Sequence, residues 1–137
     1  MILSENTVNV LKNFSQINPS IEFKPGTVLT TVSPQKTVMA KAEVDETFPS
    51  KGAVYDLNRF LGVLSLFDEP DLNFGEKNVT VQKDRKKINY TFADPQMIIV
   101  PPEKEIQFPE AEVNVEIPWS ELSQVLKAAA VMGLPEI

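Results

Sequence analysis

An α+β fold with a largely antiparallel sheet is predicted by three features of this 137-residue chain. Two segments carry apolar residues at three-and-four spacing, several runs alternate apolar with polar residues, and the order is helix, strands, helix, strands. The first element is a helix from about Asn6 to Ile17. Ser4 is placed to cap it, and Val10, Leu11, Phe14 and Ile17 form one buried stripe. Asn18-Pro19 ends it, because the residue before a proline is driven out of the helical region.

The next stretch, IEFKPGTVLTTVSPQKTVMAKAEV, alternates in two runs broken by Pro-Gly and by Ser-Pro-Gln, as a strand and hairpin series does. A second helix follows in YDLNRFLGVLSLF. Asp56 is its cap, and Leu57, Phe60, Leu61, Leu64 and Phe67 share a face. DLNFGEK, NVTVQKD, KKINYTF and QMIIV then read as four short strands with polar turns between them.

Residues 101–112 read as an extended connector, since Pro101, Pro102 and Pro109 remove backbone donors and forbid a continuous helix. Ile106 and Phe108 alternate with polar neighbours there and are expected to bury along a surface. Beyond it come a short strand, VNVEI, and a third helix capped by Ser120. Leu122, Val125, Leu126, Ala129 and Met132 form its buried stripe, and Gly133 stands where a left-handed cap belongs.

The step VLK occurs in the first helix and again in the third, 115 residues later, which places Val10, Leu11, Lys12 and Ile17 on Val125, Leu126, Lys127 and Met132. That spacing is about one domain length. A duplicated domain follows: residues 1–100 form a first copy and residues 113–137 begin a second. At 100° per residue, Lys12 and Lys127 each point away from the buried stripe of their own helix, among neutral polar neighbours. Arg59 lies toward the exposed side of the second helix.

Composition removes most site chemistry. With neither Cys nor His, the chain has no thiol nucleophile, disulfide, imidazole acid-base or Ser-His-Asp triad. The start lacks a signal-peptide pattern, no apolar run approaches membrane-spanning length, and a cytoplasmic protein is expected. The net charge of -6 alone argues against nucleic-acid binding. Its distribution differs: residues 1–100 hold 11 basic and 12 acidic residues, whereas residues 101–137 hold 2 and 7.

The stretches LSENTVNVLKNFSQIN, YDLNRFLGVLSLF, ADPQMIIVPP and IQFP, in that order, resemble the DNA polymerase sliding clamp of T-even-type bacteriophages. The resemblance implies a DNA-clamp fold, with antiparallel sheets and two helices on one face of each domain. It also implies a homotrimeric ring around duplex DNA that tethers the polymerase, with a clamp-loader ATPase as a further partner, in the cytoplasm of a phage-infected bacterium. No catalysis, cofactor, metal or membrane belongs to that role. Lys12 and Lys127 fall on the DNA-facing side by the resemblance, and Arg59 joins them by its own helix geometry. A clamp subunit contains a whole second domain, so a chain ending at LPEI is expected to be a fragment that does not close the trimer alone.

Other patterns carry less. Asp68, Glu69 and Asp71 flank Pro70 in a turn, where acids are common, and are not read as a metal site. The KDRKK run, residues 83–87, is read as a solvated hairpin turn in preference to a phosphate contact. Trp119 is read as a lone hydrophobic anchor. Two alternatives to the clamp stand beside it: an interaction module that takes a partner peptide along Ile106 and Phe108, with no DNA role, and a hydrolase using carboxylates such as Asp56 and Asp94.

Overall fold

The computed structural model describes residues 1–136. It divides into two units, Met1–Glu103 and Lys104–Ile137. In the first, helix α1 (Glu5–Ile17) is followed by strands β1 (Ile21–Phe23), β2 (Gly26–Val32), β3 (Met39–Phe48) and β4 (Gly52–Val54). Helix α2 (Leu57–Ser65) and strands β5 (Asp71–Phe74), β6 (Asn78–Lys83) and β7 (Lys86–Thr91) complete it. All strand pairing is antiparallel: β1 with β4, β2 with β3, and β5-β6-β7.

Local chemistry explains the boundaries. The Ser4 side chain accepts the Thr7 N–H and so caps α1. Pro25-Gly26 separates β1 from β2, with Gly26 at φ 119, a backbone region open to glycine. The β2–β3 turn is organised by Ser33, whose hydroxyl accepts from the N–H groups of Thr37 and Val38, both at 3.0 Å. Strand β4 was not anticipated. Three residues are too few to show a period, and Gly52-Ala53-Val54 is a strand only because β1 is beside it.

The core is aromatic at its centre. The Phe23 ring lies 4.9 Å from Phe48, 6.0 Å from Phe60 and 5.6 Å from Phe74, so β1 touches β3, α2 and β5 through one side chain. Phe60 also meets Tyr90 of β7 at 5.3 Å, edge to face. The two expected helix stripes are the buried ones: Leu11 and Phe14 in α1, and Leu57, Phe60 and Leu64 in α2.

Four local expectations are corrected. QMIIV is not a strand. Asp94 accepts the Gln96 N–H and Pro95 opens a single 3-10 turn, Pro95–Met97, after which the chain is held by Asn18, whose amide donates to the Ile99 carbonyl at 3.0 Å. In the second unit, helix α3 (Trp119–Met132) is capped by Pro118, not Ser120. The Pro118 carbonyl accepts from Glu121 and Leu122, both at 3.1 Å, so the helix begins one residue before Ser120. Residues 113–117 pair with no strand among the described residues, and an alternating run without a partner edge stays unpaired backbone. Gly133, at φ 66, ends α3 with Leu134 N–H on the Ala129 carbonyl, as expected. The α3 stripe contains no buried residue.

A carboxylate ties α1 to β3. Glu46 accepts from the Ser4 backbone N–H and from the Thr7 hydroxyl. Partial burial pushes its carboxyl up, but the Thr7 and Ser4 hydrogen bonds outweigh this and hold it below its ordinary value. A carboxyl that titrates lower when folded stabilises the native state above the unfolded value, and that contribution disappears as pH falls through the native one. Unfolding by denaturant across pH should show stability declining below about pH 4.5, and Glu46→Gln should flatten that decline. Phe23→Ala should lower stability by about 3–5 kcal/mol in the same measurement, since it removes a ring packed on three elements.

Candidate nucleic-acid interface

The helices α1 and α2 form one antiparallel layer. At one end the Leu57 N–H donates to the Pro19 carbonyl at 2.8 Å; at the other, Leu3 and Glu5 of the α1 entry line the same cleft as Phe67 and Pro70 beyond α2. Asp56 stabilises the start of α2 twice. Its carboxylate accepts the Arg59 N–H at 2.9 Å, and its carbonyl accepts the Tyr90 hydroxyl at 3.1 Å. Burial first, and the nearby Asp56 carboxylate second, push the Tyr90 hydroxyl pKa up, so it remains a donor over the physiological range.

The outer side of this layer is polar and lightly basic. Asn9, Lys12, Asn13 and Gln16 of α1 are exposed, as are Asn58, Arg59 and Ser65 of α2. Neither Lys12 nor Arg59 forms an ion pair among the described residues. Between the helices lies a cleft of about 330 Å³ with Val8, Leu61 and Leu64 in its lining and Lys12, Asn9 and Ser65 among its polar groups. Glu5 and Glu69 line it too, which moderates the positive potential. Long, unpaired cations among neutral amides suit phosphate oxygens and offer no set of donors and acceptors for reading bases.

Lys12 and Arg59 therefore belong to one layer, as their helix positions suggested. Lys127 is exposed on α3, in the second unit. Ile106 and Phe108 do not bury: they are 56% and 90% exposed, because the proline-rich segment has no paired strand beside it. The rival carboxylates are both used as caps, Asp56 on α2 and Asp94 on the 3-10 turn. Asp71 instead accepts from the Met1 ammonium, and that hydrogen bond holds its carboxyl below the usual range. Ser65 was missed, since only helix packing brings it to the cleft that Lys12 lines.

With this geometry in place, the chain can be compared with known proteins. Residues 4–100 match the profile described as DNA polymerase processivity factor. The chain belongs to the DNA polymerase processivity factor family. It is 36% identical over 139 residues to the sliding clamp of Enterobacteria phage T4 and 34% identical over 141 residues to that of Vibrio phage KVP40. The sliding clamp of Escherichia phage RB69 is 34% identical over 139 residues. Each match covers 100% of this chain but only 60–63% of the relative, so the chain spans about three fifths of their length. The fold of the chain is α+β with antiparallel sheets, and no described helix is long and apolar enough to cross a membrane.

Because both cations are exposed and unpaired, Lys12→Glu and Arg59→Glu should each change folding stability by less than about 0.5 kcal/mol. Thermal unfolding of the single variants checks this, and a larger loss would give those side chains a structural role.

Proposed function

We propose that this chain is part of a DNA sliding clamp subunit, in which residues 1–100 form the first clamp domain, 101–112 the connector and 113–137 the start of a second. The observation that carries it is the α1–α2 layer: a neutral polar face with unpaired Lys12 and Arg59, within a member of the processivity factor family. In the ring-forming assembly, duplex DNA passes along that layer. Lys12, Arg59 and Lys127 attract phosphates without regard to sequence, and each contact contributes a logarithmic salt slope of about -0.9.

Few contacts leave sliding easy, and ring closure supplies retention that affinity does not. The replicative polymerase and a clamp-loader ATPase are the protein partners of this role, and a homotrimer is its assembly. The exposed Ile106 and Phe108 offer apolar anchors to such a partner. The acidic stretch after residue 100 discourages DNA from binding along the connector. No catalytic step is assigned.

The test introduces Lys12→Glu with Lys127→Glu into a clamp subunit that spans the full length of the relatives. In a primed-template reaction with polymerase and loader, the length synthesised per binding event should fall several-fold while the melting temperature stays nearly constant. Unchanged product length would remove both lysines from the DNA-facing surface.

A further inference from the structure

The KDRKK run changes meaning once its register is known. Strand β6 alternates, with Val79 and Val81 buried, so Lys83 belongs to the face that meets the core. Lys86 is paired with Lys83, Ile88 with Val81 and Tyr90 with Val79, which puts Lys86 on that same face. Tyr90 contacts Phe60 of α2, so this is the helix-covered side of the sheet. Lys87 is paired with Gln82 and projects from the opposite side.

The turn also closes against the end of α2. Lys83, Arg85 and Lys86 line a recess with Leu66, Phe67 and Asp68, and Phe67 lines the Lys12 cleft as well, so the two surfaces are neighbours. Two features of this recess are unfavourable for folding alone. Lys83 and Lys86 are like charges directly opposite each other in an antiparallel pair, which destabilises a hairpin. Among the described residues, none of Lys83, Arg85 and Lys86 is in an ion pair; Lys83 Nζ reaches only the Glu69 carbonyl at 3.5 Å. Asp68 and Asp84 line the same recess and leave it a small positive excess.

We propose that Lys83, Arg85 and Lys86 form a second phosphate contact for duplex DNA, at the end of the helical layer beyond α2. This rests on the DNA-facing assignment of that layer. The repulsion retained between Lys83 and Lys86 is relieved when a phosphate lies between them, and the neighbouring carboxylates keep the contact weak enough to slide. Lys87, on the other side of the sheet, takes no part.

The experiment measures binding of the 137-residue chain to a short labelled duplex oligonucleotide by fluorescence anisotropy over a series of salt concentrations. Lys83→Gln with Lys86→Gln should weaken binding several-fold and reduce the logarithmic salt slope by up to about 0.9 per lysine, and Lys87→Gln should do neither. Circular dichroism establishes that each variant is folded. If the double variant behaves like Lys87→Gln while Lys12→Gln with Arg59→Gln weakens binding, the hairpin contact is overturned and the DNA-facing layer stands. If the unaltered chain shows no salt-dependent duplex binding, the hairpin contact falls, and the DNA-facing layer is decided by the primed-template reaction of the ring-forming subunit. Tighter binding to a polyglutamate peptide than to duplex, lost in the same double variant, overturns the phosphate assignment in favour of an acidic protein partner.

Discussion

The packing of Phe23 against Phe48, Phe60 and Phe74 is the contact on which the first unit depends. Strand β1 is three residues long and pairs only with the three residues of β4. Hydrogen bonding over so short a ladder does not hold three small sheets together. One fully buried ring that reaches β3, α2 and β5 does, because each element must be in place before the ring is enclosed.

The helical layer takes its position from the same centre. Phe60 fixes α2 against Phe23 on one side and Tyr90 on the other, and the Asp56 carbonyl receives the Tyr90 hydroxyl. Helix α1 is held at both ends, by Glu46 of β3 at its start and by Asn18 at its close. Asn18 donates to the carbonyls of Val32 and Ile99 and accepts the Ser20 N–H, so it also ties down the segment that leads to the connector. With both inner faces fixed, the orientation of the outer side chains is no longer free. Lys12 and Arg59 are exposed because the core leaves them no other place, and neither is in an ion pair among the described residues.

Electrostatics in this protein is a matter of distribution. A net charge of -6 conceals a first unit near neutrality and an acidic remainder. Within the first unit, the helix side carries the unpaired Lys12 and Arg59, while Glu46, Asp56 and Asp94 are occupied with backbone or hydroxyl donors. Asp56 and Asp94, the two carboxylates the hydrolase reading named, each cap the start of their own helical turn.

What the sequence by itself determined was whatever depends on near neighbours. The stripes of α1 and α2, the caps Ser4, Asp56 and Gly133, the β2–β3 turn and the exposure of Lys12, Arg59 and Lys127 all follow from residues within a turn or two of one another. Failures occurred where a long-range partner decides the conformation. Gly52-Ala53-Val54 is a strand because β1 lies beside it, Ile98 and Ile99 are not because Asn18 and a proline turn take them, and Ile106 and Phe108 remain exposed because no strand is there to cover them. The division of KDRKK into helix-side and outer lysines was likewise invisible locally. A strand's two faces are interchanged by a shift of one residue, and only pairing with the buried Val79 and Val81 specifies which face Lys83 and Lys86 share.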